Sequence, residues 1–454
     1  MIEAMLERTE RLRTNGLPPE VMRAVKTFVY DSLGVGIAGA AAPLTQQVRV
    51  AAAQWHGRGE ARLLGGGPGL TPAGAAFVNG FQIHCQEYDC VHEAAVVHPM
   101  ATVLAALLAE ADAQAGEVNG RMFSEAVALS VELATTIGVA ATSAIRFFRP
   151  ANAGIFGSAL GISYLRGFTE EQTRDALGYA LALCSGTMQA HVEGKPALPV
   201  QIGNAAHGAV MAADLAKHGL SGPQDSLEGA FGYFALFEEE TDVAAAIEGR
   251  QGRWRITEVS HKPFPTGRAA HGGLVLLRTL RERIENVEDI EKVCVTAPPL
   301  IPRLVERSAF SAMKANHARL CFPYLGAVML KEGAVTLNDF TDEALARQDI
   351  LALAERIEVM SDGSENPAAF VPQKASIALR SGTTVSEQID SLLGSPAHPL
   401  SDDEAAEKFR SCLRFGLGQD DTDRANAIGY AVAKLDSLEH VSDLLALVSP
   451  EITP

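Results

Sequence analysis

Residues 79–99 read NGFQIHCQEYDCVHEAAVVHP, and this stretch decides both the fold class and the place to look for chemistry. Apolar segments with the spacing of helices flank it on both sides. It concentrates groups that exchange protons near neutral pH, namely His84, His92, His98, Glu87, Asp89 and Glu93. The stretch therefore predicts two helices joined by a polar connection, and connections of this kind often carry function.

Helical patterning extends over almost the whole of the first 265 residues. Thr71-Pro72 is an N-cap followed by proline at the first helical position, and Thr169 to Gln172 form a capping box. Apolar spacing of three and four predicts further helices at 18–37, 99–114, 122–141, 203–218 and 226–238. Small residues on the apolar faces allow close packing, so we predict a large helical bundle and not a layered sheet.

The pattern changes after about Thr266, where a mixed segment begins. A helix near 271–284 is followed by segments of alternating apolar and polar residues, which begin near Ile290, Arg356 and Ala375. The last of these turns at Ser381-Gly382, which is typical of a β-hairpin. These features predict a smaller α+β domain over residues 266–399.

Helical patterning returns at about Ser401 and includes a long stretch from Arg424 to Val448. The order of helix, mixed segment and helix predicts that the C-terminus packs back onto the first region. We therefore predict a mainly α protein. Residues 1–265 and 400–454 form a large all-helical domain built from both chain ends, beside the smaller α+β domain.

The overall composition limits the classes of function. With 454 residues, of which 47% are hydrophobic and 20% charged, the chain has material for two or three globular domains. A net charge of −17 argues against nucleic acid as a partner, although a few local cations suffice to bind a small anion. The six cysteines do not form a disulfide framework, the N-terminus does not resemble a signal peptide, and no apolar run approaches the roughly 20 residues of a membrane span. We expect a cytoplasmic protein without a membrane partner.

His98 is the strongest candidate for acid–base chemistry in the connection. It precedes Pro99 at a helix start, where the positive helix terminus favours a neutral ring that acts as a base. His84 lies inside a helical run, so we expect a structural role for it. A metal site would use Cys85, Asp89, Cys90, His92 and His98, but their spacing does not match a structural zinc site. We expect no metal.

A second group of candidates lies in residues 260–271, SHKPFPTGRAAH. Two prolines hold Lys262 on an extended segment, and Arg268 and His271 lie at a helix start. Cationic side chains and N–H groups at a helix start can hold an anion. The alternative is a solvated basic linker between domains, but prolines on both sides of a phenylalanine disfavour a flexible linker.

A third group is formed by Arg146 and Arg149, which lie beside Phe147 and Phe148. The aromatic residues predict a packed bend, in which a partly buried arginine needs an anion. A structural salt bridge explains the pattern equally well. The sequence has neither a dinucleotide fingerprint after a strand nor a Gly-x-Ser-x-Gly elbow, which argues against nicotinamide or flavin enzymes and against α/β-hydrolases.

Several motifs in this order resemble the MmgE/PrpD family, whose members include 2-methylcitrate dehydratase, cis-aconitate decarboxylase and iminodisuccinate epimerase. The resemblance covers nearly the whole chain and rests on Tyr30-Asp31-Ser, Asn79-Gly80 with His84, His98-Pro99, Gly203-Asn-Ala-Ala, Lys262-Pro-Phe-Pro and Phe322-Pro-Tyr324. It implies a large helical domain with a smaller α+β domain, a homodimer, and catalysis without a metal or an organic cofactor.

The chain departs from the pattern of the dehydratase-like members of the family. They read Asp-Phe-Asp-Asp-Thr where this chain has residues 87–91, so that Cys90 replaces an acid and Val91 a threonine. The family's usual lysine, histidine and cysteine fall on Leu198, Arg149 and Gly267. A dehydratase or decarboxylase site of the usual type would therefore lack several polar groups.

The groups that remain suit removal and return of a proton next to a carboxylate. The resemblance is greatest to iminodisuccinate epimerase, so we predict an isomerase that acts on a small polycarboxylate. The predicted catalytic residues are His98, Lys262 and Tyr324, and the predicted substrate-binding residues are Glu87, His92, Arg149, Arg268 and His271. The alternatives are a hydro-lyase or decarboxylase that acts on a citrate-like tricarboxylate, and a relative without catalytic activity.

Overall fold

The computed structural model describes residues 1–114, 116–248, 250, 252–366 and 369–450. The chain divides into two compact units. The first comprises residues 1–190, 197–260 and 402–454, and the second comprises residues 191–196 and 261–401. The predicted fold class is confirmed, because the larger unit is built from helices of both chain ends and the smaller one combines helices with a sheet.

The N-terminal part of the first unit is an array of helices with one short strand. Its elements are α1 Ile2–Asn15, α2 Pro19–Ala40, α3 Thr45–His56, β1 Arg58–Ala61, α4 Pro72–His84, α5 Pro99–Ala113, α6 Gly120–Ala140, α7 Arg149–Leu165, α8 Glu170–Leu183, α9 Gln189–Glu193, α10 Ala197–Lys217, α11 Tyr233–Phe237 and α12 Val243–Ile247. The last residues of α9 belong to the second unit.

Small residues bring the central helices of the first unit close together. Helices α4 and α10 touch where a Cβ on Gly80 would lie 3.1 Å from the Cα of Gly203. Helices α6 and α7 touch where a Cβ on Gly157 would lie 2.3 Å from the carbonyl oxygen of Ser130. These contacts hold α4, which leads into the polar connection, firmly in the helical core.

No apolar run of the length of a membrane span was expected, but helix α6 is long and apolar enough to cross a membrane by length and composition alone. Its most apolar window has a mean hydropathy of 1.4, but 89% of that window is buried inside the protein. The helix also carries Glu125 and Glu132, and both are buried. It is therefore packed as a core helix.

The mixed segment forms the second unit. Its elements are α13 His271–Arg281, β2 Ile290–Ala297, α14 Leu300–Val305, α15 Ala315–Ala318, α16 Phe322–Glu332, α17 Asp342–Leu345, α18 Gln348–Ala354, β3 Ile357–Ser361, β4 Gln373–Leu379 and β5 Thr384–Ile389. The strands form one sheet in the order β3-β2-β4-β5. The β2–β3 pair is parallel, and the other two pairs are antiparallel. The predicted hairpin is confirmed as β4–β5, with Gly382 at a φ of +88° in its turn.

The C-terminal helices return to the first unit, where the predicted helical stretch from Arg424 to Val448 is interrupted. It is divided into α20 Thr422–Ala433 and α21 Val441–Val448, and α19 Asp402–Leu417 precedes them. Between the two helices, the carbonyl of Leu438 accepts a hydrogen bond from Gly120 N–H (2.9 Å), and Val441 N–H donates to Val118 (3.0 Å). The backbone groups at the break therefore bond to the start of α6 and not to a continuing helix.

The helix predicted over 226–238 is also wrong for most of its length. Only Tyr233–Phe237 is helical, because residues 226–232 form tight turns at Gly229 and Gly232. Tyr233 N–H donates to the carbonyl of Ser226 (2.9 Å) across these turns. The glycines permit a fold-back in which a Cβ on Gly232 would lie 2.8 Å from the carbonyl oxygen of Leu227.

We predict that a histidine pair, formed by the last residue of α3 and a residue in the middle of α10, makes stability depend on pH. The rings of His56 and His207 have centroids 4.7 Å apart. Burial, and then the neighbouring His56, lower the pKa of His207 to about 4. The unfolded chain takes up this proton near its ordinary pKa of about 6.5. Stability is therefore lost as the pH falls from about 6.5 towards 4.

Urea unfolding of the wild-type protein and of His207→Gln at pH 7 and pH 4.5 measures this loss. The variant is expected to lose about 1–2 kcal/mol less than the wild type over this range, a figure reduced for the solvent exposure of the pair. Equal losses in both proteins would show that His207 does not contribute to the acid sensitivity.

Candidate active site

The polar connection between α4 and α5, residues 85–98, forms a loop that we call the histidine loop. His84 is the last residue of α4, which starts at the Thr71 cap as predicted, and His98 is the N-cap residue of α5. The two helices bring the rings of His84 and His98 to a centroid distance of 4.9 Å. A histidine therefore stands at each end of the loop, and the two rings contact each other edge to face.

Asp89 holds both of these histidines. Its Oδ2 lies 2.9 Å from Nδ1 of His84 and 3.1 Å from Nδ1 of His98. Asp89 and His84 are buried, whereas the His98 side chain is 15% exposed. An ionised carboxylate only accepts hydrogen bonds, so both Nδ1 atoms carry protons. In this tautomer Nδ1 of His98 is committed to Asp89, which fixes the orientation of the ring.

The carboxylate changes the expected charge of His98. A helix N-terminus disfavours a positive ring by about 0.3–1 kcal/mol. A hydrogen bond to a charged group contributes about 1.5–3 kcal/mol in the other direction. The contact with Asp89 therefore opposes the effect of the helix terminus, so that His98 can act as an acid as well as the base expected from the sequence. Asp89 was missed as a site residue because contacts across a loop leave no periodic signal in the sequence.

The same three side chains form a group that could hold a metal ion. Among the described residues, ligand atoms of His84, Asp89 and His98 lie within 4.8 Å of one another. Both Nδ1 atoms are bonded to one oxygen of Asp89, so a metal would have to replace these hydrogen bonds. The hydrogen-bonded arrangement is that of an oriented acid–base group.

His92 is occupied by contacts inside the first unit. Its Nδ1 accepts from Ala95 N–H (3.1 Å), so Nε2 carries the proton and donates to Glu258 Oε2 (3.1 Å). Burial opposes ionisation of Glu258, but hydrogen bonds from His92 and Arg250 lower its pKa to about 2. Both ring nitrogens of His92 thus hold the histidine loop in place. This geometry favours a structural role over the predicted binding role.

The backbone of the histidine loop is anchored and locally strained. Val91 and Ser260 exchange two backbone hydrogen bonds of 3.0 and 2.8 Å. Glu87 and Val96 both have a φ of +51°, which L-residues rarely adopt, and least of all a β-branched one. The carboxylate of Glu87 lies 3.7 Å from Nε2 of His84. Strain of this kind often accumulates where side chains are held for function.

Arg149, the first residue of α7, forms a buried ion pair. Its Nε and Nη2 atoms donate to the two oxygens of Glu238 at 3.0 and 2.9 Å, and Nη2 also donates to the carbonyl of Ser143. Both side chains of the pair are 5% exposed. The structure therefore shows the salt-bridge alternative, and not the predicted role of holding a substrate carboxylate. Arg146 pairs with Glu239 at the surface.

The other candidates lie in the second unit, where Arg268 and His271 contact each other. Nη1 of Arg268 donates to the carbonyls of Leu393 (2.7 Å) and His261 (3.2 Å), and it lies 3.4 Å from Nδ1 of His271. Because arginine has no acceptor, Nδ1 of His271 accepts and Nε2 donates to Thr266 (3.3 Å). The pair thus orders the segment that carries Lys262, whose side chain is completely buried.

Tyr324 is also buried, at the start of α16. Its hydroxyl donates to the carbonyl of Asp339 at 2.6 Å. Burial, and then the nearby Asp339, raise the pKa of this phenol. A catalytic role for Tyr324 would require this hydrogen bond to break, so the geometry disfavours the predicted role.

Comparison with known proteins corrects the predicted reaction class. The chain is 26% identical to the cis-aconitate decarboxylase-like protein oryM of Aspergillus oryzae, over 97% of this chain and 95% of that protein. It is 27% identical to the cis-aconitate decarboxylase of Homo sapiens (98% and 93%) and 26% identical to that of Mus musculus (96% and 91%). These relatives are named as decarboxylases, which are lyases, so the prediction of an isomerase is wrong.

The family assignment rests on both halves of the chain. The MmgE/PrpD N-terminal domain matches residues 3–246, and the MmgE/PrpD C-terminal domain matches residues 264–432. The first match alone covers more than half of the sequence. The resemblance drawn from the short motifs is thereby confirmed: the protein belongs to the MmgE/PrpD family.

Proposed function

We propose that this protein is a lyase that removes carbon dioxide from a citrate-like unsaturated tricarboxylate such as cis-aconitate. The observation that carries the proposal is the 3.1 Å hydrogen bond between Asp89 and His98, which supports His98 as the proton donor. Similarity to cis-aconitate decarboxylases along nearly the whole chain supports the choice of reaction.

The reaction needs one proton and no redox partner. In cis-aconitate, the C–C bond between the methylene carbon and its carboxylate breaks, and carbon dioxide leaves. The released electron pair forms a new double bond to the central carbon. The π electrons of the original double bond take up a proton at the CH carbon, which carries the carboxylate farthest from the one that leaves. The products are carbon dioxide and a five-carbon dicarboxylate with a terminal methylene group.

His98 supplies this proton in the proposal. Its Nε2–H is the donor, while Nδ1–H stays bonded to Asp89, which stabilises the charged ring before transfer and keeps its orientation. The buried carboxylate is fixed by its second bond to His84, so little reorganisation accompanies the transfer. A proton from solvent restores the ring after each turnover.

The carboxylates of a tricarboxylate need cations. Lys262 and Arg268 of the second unit stay the predicted residues for this role, and His271 holds the guanidinium of Arg268. Glu87 is negatively charged and would repel this substrate. We therefore assign it to the support of His84.

Incubation of the protein with cis-aconitate in deuterated water tests the proposal. We expect release of carbon dioxide and a product that carries one solvent deuterium on the carbon that was protonated. Citrate and 2-methylcitrate serve as parallel substrates, from which a hydro-lyase would remove water. Water loss from these compounds without any release of carbon dioxide from cis-aconitate would contradict the proposal.

A further inference from the structure

Lys408 of α19 is a buried cation next to the histidine loop. Its Nζ lies 2.6 Å from Oδ1 of Asp31, and the two side chains are only 5% and 3% exposed. The same nitrogen donates to the carbonyl of Tyr88 at 2.9 Å and lies 4.1 Å from the centre of the Tyr88 ring. The ammonium therefore links helices α2 and α19 to the middle of the loop.

Aromatic rings and a neutral thiol lie beside this ion pair. The ring of Tyr30, next to Asp31, stacks on Phe409, next to Lys408, with centroids 4.1 Å apart. Burial raises the pKa of the nearby Cys412 thiol to about 12, so this group stays neutral at physiological pH. Burying an ion pair is costly and often adds no net stability. Its presence here calls for a role other than holding the core together.

The position of Tyr88 in the loop indicates that role. Tyr88 lies between Glu87, which has a φ of +51°, and Asp89, which holds His98. A strained peptide relaxes unless its surroundings fix it. The hydrogen bond to the carbonyl and the contact with the ring fix Tyr88 from two sides. The direction of the Asp89 carboxylate then follows from the fixed backbone.

We propose that Lys408, held by Asp31, is a positioning residue that fixes Tyr88 and thereby keeps Asp89 in place to orient His98. The effect on catalysis rests on the proposed function, because it requires His98 to transfer the proton. The effect on the Asp89–His98 contact does not depend on that function, and it can be measured without substrate.

The test is the double variant Asp31→Asn/Lys408→Met, which removes both charges and so leaves no unpaired charge in the core. Circular dichroism checks its fold. For a displacement near 1 Å we expect kcat with cis-aconitate to fall by about 10²-fold. In spectra of ¹³C-labelled histidine, we expect His98 to titrate at a lower pH than in the wild type, because the carboxylate no longer stabilises the charged ring.

The double variant Glu110→Gln/Arg166→Met is a matched control. Arg166 Nη2 and Glu110 Oε2 form another pair of the first unit, 2.7 Å apart and 11% and 3% exposed, and the same nitrogen lies 2.8 Å from the exposed Asp214. Removal of this pair is expected to leave kcat and the titration of His98 as they are in the wild type.

The proposal would be overturned if the Asp31→Asn/Lys408→Met variant had the kcat of the wild type and its His98 titrated at the same pH as in the wild type. If His98→Gln retains activity, the proposed function is wrong. The titration of His98 in the double variant then decides alone whether Lys408 keeps Asp89 in place. If the double variant does not fold, Tyr88→Leu removes the ring contact and leaves both charges in place. The titration of His98 is then expected to shift in the same direction, and an unchanged titration would overturn the proposal.

Discussion

Replacement of His98 by glutamine is expected to lower kcat for decarboxylation of cis-aconitate by about 10²–10⁴-fold, the usual effect of losing a general acid. Glutamine can still donate a hydrogen bond to Asp89, but it has no proton to transfer at neutral pH. The carboxylate-binding groups are unchanged, so KM should change much less than kcat. Steady-state rates of carbon dioxide release measure both values.

His92→Gln is the matched control for this experiment, because the two histidines lie in the same loop. Both ring nitrogens of His92 are bonded within the protein, so its loss should lower stability more than kcat. If the two variants lose activity equally while both remain folded, the loop as a whole matters, and His98 has no special role as the proton donor.

Replacement of Arg149 by methionine is expected to destabilise the protein by about 3–5 kcal/mol, because it leaves the buried Glu238 without its cation. Urea unfolding at pH 7 measures the loss. The double variant Arg149→Met/Glu238→Gln removes the remaining charge and should recover most of the stability. KM for cis-aconitate should stay close to the wild-type value in this double variant.

A different result would indicate that Arg149 binds the substrate. Arg149 replaces a histidine that is usual in the family, and the sequence alone suggested that its guanidinium holds a substrate carboxylate. A stable Arg149→Met variant with a strongly raised KM would restore that interpretation. In that case Arg149 would release Glu238 and bind a carboxylate of the substrate instead.

The local chemistry of the chain made much of the helical fold predictable. The caps at Thr71 and Thr169 start α4 and α8 as expected, because their side chains accept from backbone N–H groups of the first turn. The break between α20 and α21 was not predictable, because its cause is hydrogen bonding to Val118 and Gly120, which are distant in the sequence. Helix propensity contains no information about such partners.

At the candidate site, too, contacts between residues that are distant in the sequence could not be predicted. The sequence pointed to the histidine loop and to His98, because proton-exchanging residues in a connection are a local signal. It did not point to Asp89 as the shared acceptor or to Lys408, which contacts Tyr88 across 320 positions of the chain. It also left the partner of Arg149 open, and the structure identifies that partner as Glu238.

The error about the reaction has a structural explanation as well. Cys90 and Val91 replace polar residues of the family pattern, and the prediction of an epimerase rested partly on that loss. In the structure Cys90 is completely buried and Val91 is 3% exposed. Val91 also pairs with Ser260 through the backbone. Substitutions at packed positions such as these carry little information about which bond the enzyme breaks.

The sharing of one Asp89 oxygen by two histidines has a consequence for kinetic measurements. His84 and His98 both bond to one oxygen of Asp89, so we expect each protonation step to belong to the group of three and not to a single ring. A midpoint in the pH–rate profile is then a macroscopic constant of the triad. Replacing His84 should move that midpoint, even though His98 is the proposed proton donor.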